Sequence, residues 1–573
     1  MTPGEISAQL ARILASSAFS GSERMSRFLS YAVKSALEGK AAELKESVLG
    51  VHVFDRPAGY DARLDPIVRV EARRLRAKLA QYYQAAGRHD PLIIELPTGG
   101  YVPAFRDRRP PPPEPSKPKT VAVLPFANLS TEAENQYFSD GLTRELIHEL
   151  TRLPGLRVMA WNSVAQLREK AGQAKEVGQL LSVDAVLEGS VQRSGRRVRI
   201  TAQLVEASTG VYLWSENYQR EWEDVFTLQQ EIARTLAMVL KIRLTSTERH
   251  APRNPEAYNF YLQGRHAWNQ RTEIALRQSI SLFERALQED PEFALAYAGV
   301  ADSYSLLCDF GHMPAKEGIA QAREAAQRAL ELDPTMGEAH CSLGFIRCTH
   351  DWQWREGEQN YLRALDLNPG YATAHHWYGT DFLALWGRFP EAAAEMALAR
   401  ALDPLDTIIE DSACYLHLLW RRYNEAEQRY HDLVRRAPQW AKAYSGLGRV
   451  LGAQGRYAEA VAMMERAYAI AGDLPSLIGA LGQMHALSGN RAKARLLLEK
   501  LRSIAGQRHV SATCFALLYL GLGEKTEALD WLEHGLISRD LPMTGMNVHP
   551  AYDDLRAEPR FSRILEKMGF AAG

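Results

Sequence analysis

Seven prolines recur through the second half of the chain, and their spacing limits what that half can fold into. Pro255, Pro291, Pro334, Pro369, Pro404, Pro438 and Pro475 follow one another at intervals of about 34–37 residues, with one of about 43. Most close an Ala-Leu segment just after an acidic residue or asparagine, as in RALQEDP, RALELDP, RALDLNP and ARALDP. Proline has no amide donor and its ring collides with the preceding turn, so each one stops a helix and opens the next pair. The spacing predicts an all-α array of about eight helix pairs over residues 255–573, one pair lengthened by LLCDFGHMPAKEGIAQA.

The clearest copy reads AYSGLGRVLGAQGRYAEAVAMMERAYAI. Tyr444, Leu447, Gly448 and Leu451 share one stripe of a first helix, Gly455 marks a turn, and Tyr457, Ala460, Met464 and Ala467 line a second helix. The small Gly448 and Ala460 let the two helices approach, and the large residues fill the space between pairs. This pattern resembles the tetratricopeptide repeat, with weaker copies at Leu343-Gly344, Tyr378-Gly379 and Leu481-Gly482. The resemblance implies a solenoid whose first helices line a concave groove for a protein or peptide partner. In its register Lys442, Ser445 and Arg449 face that groove, with His340, Cys341 and Phe345, and Thr373, His376 and Thr380, as counterparts in earlier repeats. Gly446, Gly448 and Gly452 are read as packing glycines, because no strand precedes them as a phosphate loop requires. His375 and His376 lack a second ligand pair at metal spacing and are read as packed or solvated.

Upstream, RRPPPPEPSKPK (108–119) suits neither helix nor strand and is expected to be an extended linker. Residues 120–245 then alternate in type. VAVLPF (121–126) reads as a buried strand, FSDGLTRELIHELTRL as an amphipathic helix, LRVMA (156–160) as a strand and KEVGQLL as a short helix. Three strands follow, turning at Ser194-Gly195 and Thr209-Gly210, and then a helix from about Val225 to Ile242. This predicts a central α/β domain. VAVLPFANLS, YFSDGLTRELIHEL and VDAVLEGSVQRSGRRVRITAQLVEASTGVYLWSENY resemble the TolB-amino-terminal-like domain of bacterial regulatory proteins, which tetratricopeptide repeats follow. YLQGRHAWNQRT and HPAYDDLRAEPRFSRILEKMGF extend the resemblance to roughly 450 residues. Some such proteins carry a nucleotide cyclase or protein kinase domain in front. This chain has no glycine-rich nucleotide loop, HRD/DFG-like pair or nucleophile–base set, so no catalytic residue, cofactor or metal is assigned and no enzymatic activity is expected. Asp140, Glu145 and Glu149 lie along one helix without a metal-like partner and are read as a solvated face.

The first 109 residues hold about 17 Lys/Arg against about 12 Asp/Glu, while the remainder is acidic by roughly six charges. That asymmetry fits an anionic partner for this end, or an inert basic surface. EISAQLARILASSAFS, ERMSRFLSYAVKSALEGK and ELKESVLGVHVF read as helices and FDRPAGYDARLDP as a loop. A long basic helix starts near Pro66, where proline at the first helical position wastes no donor. LIIELPTGGYVPAF reads as a hairpin turning at Thr98-Gly99-Gly100. Along the basic helix Val68, Ala72, Leu75, Leu79 and Tyr82 form a core stripe, Arg69, Arg73 and Arg76 an adjacent one, and Arg74 with Lys78 another. Five cations against Glu71 suit phosphates, and a helix suits the major groove. Leu75-Arg76-Ala77-Lys78-Leu79 and Gly99-Gly100-Tyr101 resemble the recognition helix and wing of the OmpR/PhoB-type winged helix-turn-helix, without the four-stranded sheet that opens that type. The resemblance implies a winged helix over residues 1–107 that binds double-stranded DNA. Its contacts would be Arg69, Arg73, Arg74, Arg76 and Lys78 on the helix, and Thr98, Gly99, Gly100 and Tyr101 on the wing.

Cys308, Cys341, Cys348, Cys414 and Cys514 are odd in number, form no CxxC pair and are read as core residues. No apolar run approaches the ~18–20 residues that span a bilayer, and MTPGEISAQLARIL reads as a helix start, so the cytoplasm is the expected compartment, without a membrane partner. A single winged helix with a modest charge excess binds weakly, which favours a homo-oligomer or a second contact. The multidomain reading is thus a winged helix, a central α/β domain and an all-α tetratricopeptide solenoid, acting as a DNA-binding transcriptional regulator. Two other classes compete with it: an interaction scaffold that binds no DNA, and an enzyme hidden in the α/β domain. Salt-sensitive retention on DNA separates the first two, and a deep polar pocket holding a titratable cluster in the middle domain would reopen the third.

Overall fold

The computed structural model describes residues 2–57, 59–61, 65–88, 90–107, 119–130, 136–153, 155–194, 197–221, 225–240, 254–268 and 270–570, and the chain divides into two compact units, Met1–Ser116 and Lys117–Gly573. Of the segment 108–119 read as a linker, residues 108–118 lie outside the described residues and Lys119 opens a strand; Gly195, read as a turn residue, also lies outside them.

In the first unit α1 (Pro3–Ala15) opens on a capping box, in which the Thr2 hydroxyl accepts the Glu5 amide and the Glu5 carboxylate accepts the Thr2 amide. There follow α2 (Glu23–Leu37), α3 (Glu46–His52) and α4 (Ile67–Gln84). A hairpin of β1 (Leu92–Glu95) and β2 (Ala104–Asp107) closes the unit, with Ile93 opposite Arg106 and Ile94 opposite Phe105. Ile13, Phe28, Leu29, Leu49, Val68, Leu75 and Ile94 are buried together and form its core.

The second unit begins with β3 (Lys119–Val123), β4 (Ala127–Asn128), α5 (Gln136–Thr151), β5 (Leu156–Val158), α6 (Trp161–Ala165) and α7 (Ala174–Leu181). It continues with β6 (Ala185–Ser194), β7 (Arg197–Glu206), β8 (Tyr212–Glu221) and α8 (Val225–Val239). The sheet order is β5-β3-β6-β7-β8. β3 runs parallel to β5 and β6, β4 also pairs with β6, and β6, β7 and β8 form an antiparallel meander. Val121, Ala122, Val123 and Leu124 are fully shielded, as a short parallel strand between covering layers must be.

Eight helix pairs follow among the described residues. They are α9 (Pro255–Trp268) with α10 (Glu273–Glu289), α11 (Ala294–Asp309) with α12 (Ala315–Leu332), and α13 (Gly337–Ile346) with α14 (Trp354–Leu367). Then come α15 (Ala372–Tyr378) with α16 (Phe389–Leu402), α17 (Thr407–Leu419) with α18 (Tyr423–Arg436), and α19 (Ala441–Ala453) with α20 (Tyr457–Ala471). The last are α21 (Pro475–Leu487) with α22 (Arg491–Ala505), and α23 (Ala512–Gly521) with α24 (Lys525–Ser538). A Cβ at Gly446 would stand 2.3 Å from the Tyr430 ring, so that glycine is there to let the helices meet. Both α13 and α15 continue into a widened π turn, Arg347–Asp351 and Gly379–Leu383. No described helix is long and apolar enough to cross a membrane.

The array closes on itself. Two 3-10 turns, Leu541–Asn547 and Pro550–Leu555, and α25 (Pro559–Lys567) return the chain to the third, fourth and fifth pairs. Trp354 Nε1 donates to the Met568 carbonyl at 2.7 Å and its ring centroid lies 4.7 Å from that of Phe570. Asn547 donates to the Leu385 carbonyl at 2.9 Å, and Arg421 pairs with Asp553 at 2.8 Å. From the other side the α/β domain reaches in. The Ala160 amide donates to the Leu402 carbonyl at 2.7 Å, Asn162 to Asp406 at 2.5 Å and Ser163 to Asp403 at 2.5 Å. The same docking corrects the reading of α5 as carrying a solvated acidic face. Asp140 is buried and accepts Arg168 at 2.6 Å and Gln136 at 2.9 Å, and buried Glu145 accepts the Tyr261 hydroxyl at 2.9 Å, because α5 packs against α9.

Candidate functional site

Two sets of polar residues stand out, one on α4 and one inside the array. Val68, Ala72, Leu75, Leu79 and Tyr82 bury one face of α4, which leaves Arg69, Arg73 and Arg74 on the exposed face. Arg69 pairs with Glu46 at 2.8 Å, and Glu46 also accepts the Tyr101 hydroxyl, so helix, helix and hairpin loop are tied at one carboxylate. Arg74 pairs with Glu71 at 2.8 Å, and Arg73 is exposed. Thr98 and Gly99 form the exposed tip of the hairpin, where Gly99 takes φ +90°, a conformation that favours glycine; Gly100 and Tyr101 are half-buried.

Arg76 and Lys78 depart from the arrangement read from the sequence, because each is drawn into its own fold. Arg76 donates to the carbonyls of Leu96 (2.9 Å), Pro97 (2.9 Å) and Gly100 (2.8 Å), pinning the hairpin to α4. Lys78 bonds Ser22 and lies 5.8 Å over the Phe19 ring. Three charge-assisted bonds to backbone carbonyls are costly to lose, so Arg76→Ala should lower the stability of this unit by about 2–3 kcal/mol. Hydrogen exchange at the β1 and β2 amides should quicken accordingly, and unchanged protection there would refute the role.

Inside the array lies a cavity of about 560 Å³. Phe345, Thr373, His376, Thr380, Lys442 and Arg449 line it. His340, Cys341 and Ser445 do not: Cys341 is buried between helices, and His340 turns Nε2 to the Pro334 carbonyl at 3.2 Å. His376 bonds Ser412 at 2.8 Å, and burial pushes its imidazole down to about 4, which keeps it neutral. His375 bonds Glu395 at 2.6 Å, so the pair is packed between helices. The five cysteines are free and buried, and burial pushes the thiols of Cys308 and Cys514 up to about 12, which leaves them unreactive. No group of three or more His, Cys, Asp or Glu among the described residues could hold a metal ion.

Several lining residues were not picked out from the sequence. Arg144 lies 4.1 Å over the Trp161 ring, and Arg265 and Arg271 both lie over Trp268, at 4.4 and 3.6 Å. Asp309, Asp381, Asp403 and Asp411 occupy other parts of the wall, and burial raises each carboxyl above its ordinary range. No motif marks these positions; only the enclosure of the lumen makes them unusual.

Residues 117–235 match the family described as the HilA/YgeH-like transcriptional regulator, second domain. "Putative adenylate cyclase 3" of Rhizobium meliloti is 35% identical over 277 residues, 45% of this chain and 46% of that protein. "Transcriptional regulator HilA" of Salmonella typhimurium is 25% identical over 300 residues, 52% of each chain. The chain thus spans about half the length of the curated relatives it matches. A tetratricopeptide repeat protein from Parabacteroides merdae has a similar structure at 14% identity and a TM-score of 0.35, covering 47% of this chain and all of that one. The expectation of no enzymatic activity is overturned by the Rhizobium relative, whose name is that of an enzyme. The chain therefore contains a HilA-like transcriptional-regulator domain, and joined to it is a tetratricopeptide-like array of paired helices.

Proposed function

We propose that the protein is a cytoplasmic transcriptional regulator that binds double-stranded DNA through a winged helix in residues 1–107 and a protein or peptide partner through its helical array. The observation that carries the reading is the exposed Arg69, Arg73 and Arg74 face of α4, in the unit whose hairpin tip is formed by Thr98 and Gly99. Those guanidiniums would straddle the phosphates while α4 enters the major groove, with the OmpR/PhoB-like wing touching the backbone beside it. The match to a HilA-like regulator domain supports the same reading from an independent stretch of chain. The α/β domain, TolB-amino-terminal-like in its sequence segments, would couple the two ends. A homo-oligomer would offer two such helices to adjacent half-sites.

Salt titration of DNA binding by the full chain tests this. Wild-type protein should bind a duplex with an affinity that falls steeply with salt, and Arg73→Ala with Arg74→Ala should reduce the logarithmic slope by about 2. Arg69 is left in place because it also anchors Glu46. Absence of binding at low salt, or an unchanged slope in the double variant, would remove DNA from the proposal.

A further inference from the structure

Three arginines meet at one corner of the cavity, where the α/β domain touches the first helix pair. Arg144 comes from α5, Arg265 from α9 and Arg271 from the turn before α10. Each guanidinium lies over a tryptophan ring, a contact that holds it in place before anything binds. Arg265 has Asp302 at 3.5 Å as a counterion. Among the described residues Arg144 and Arg271 form no ion pair, and Arg144 Nε and Nη1 are sealed from solvent with no hydrogen-bond acceptor. Arg271 takes φ +56°, a left-handed conformation that costs any residue other than glycine. A fold gains nothing for its own stability from an unpaired, partly desolvated cation on a strained backbone.

We propose that this corner binds a small organic anion, whose carboxylate or phosphate is clasped by Arg144, Arg265 and Arg271 with Trp161 and Trp268 behind them. The site goes beyond the DNA- and protein-binding reading and does not depend on it. A cavity of 560 Å³ falls in the range of small-ligand pockets. The α/β domain and the residues from 541 onward form part of its wall. The acidic residues of the lumen do not cancel the cluster. Asp406 is occupied by Asn162 and by the Ile408 and Ile409 amides, and Ser163 bonds Asp403. Burial holds Asp403, Asp381, Asp309 and Asp411 toward their neutral forms, while Arg144, even lowered to about 9, and Arg271, lowered to about 10, stay charged at neutral pH. The uncompensated charge of the lumen is therefore positive. Thr349, Thr380 and Asp381, carried on the two π turns, add hydrogen-bonding groups to the cavity wall.

The test is calorimetric titration of the full chain with citrate, pyrophosphate and AMP, each against sodium chloride of matched ionic strength. Wild-type protein should bind at least one of them saturably, the citrate and phosphate arms telling which group is recognised. Arg144→Met and Arg271→Gln should each weaken that binding at least tenfold and leave DNA retention unchanged. Without anion, Arg144→Met should unfold at the same temperature or about 1–3 °C higher, because an unpaired cation has been removed while its packing on Trp161 is kept. If Arg144→Met fails to fold, Arg271→Gln decides by itself. No saturable binding of any probe by the wild type, or undiminished binding by Arg271→Gln, overturns the site.

Discussion

Gly189→Val should abolish the folded α/β domain. Gly189 lies in the middle of β6, opposite Ala202 of β7. A Cβ there would stand 2.1 Å from the Thr201 carbonyl oxygen and 2.5 Å from the Phe126 ring, which is itself fully buried. The first obstacle is backbone, so relief means parting β6 from β7 and losing the ladder that carries the sheet's core. Overpacking a core typically costs about 1–3 kcal/mol, and a collision with backbone at a central strand should exceed about 4 kcal/mol. The loss should spread, because Ala160 and the α6 residues Asn162 and Ser163 of this domain hold the Leu402–Asp406 turn of the array. Circular dichroism and limited proteolysis of the full chain check it. A thermal midpoint within about a degree of wild type would show that the strands can separate freely.

That glycine was legible only as one letter of a strand, and the contrast shows what local patterns encode. The helix pairs could be read because proline stops, small residues such as Gly448 and Ala460, and apolar stripes repeat within one 34-residue unit. β6, β7 and β8 could be read because alternation and the Thr209-Gly210 turn are local too. The closure of the array could not. Trp354 meets Met568 and Phe570 across more than 200 residues, and Ser163 meets Asp403 across 240. Such contacts follow from small rotations accumulated over many repeats, to which no single repeat testifies. For the same reason a groove was expected where a cavity stands, and Asp140 and Glu145 looked solvated where α9 covers them. On α4 the core stripe was plain, whereas the capture of Arg76 by three hairpin carbonyls depends on where residues 96–100 return.

The long-range contact between Ser163 and Asp403 should also make the array's stability depend on pH. Desolvation, with Asp406 nearby, pushes the Asp403 carboxyl up to about 8, against about 3.9 for an unfolded aspartate. The folded state thus keeps this proton over a range in which the unfolded state has lost it. The group's stabilising contribution is whole below about pH 4 and declines as pH rises, by up to about 1.4 kcal/mol per unit, until it is lost above about 8. Asp403→Asn keeps a carbonyl acceptor for the Ser163 hydroxyl and cannot ionise. It should therefore match wild type near pH 4.5 and exceed it by about 2–4 kcal/mol at pH 8.5. Other buried carboxyls titrate in the same window, so the informative quantity is the difference between variant and wild type in urea midpoints across pH. Parallel curves would mean that Asp403 is ionised in the folded protein. The desolvation argument would then fail for this residue, and the contact with Ser163 would have to be a charge-assisted bond that stabilises the docked α/β domain at neutral pH.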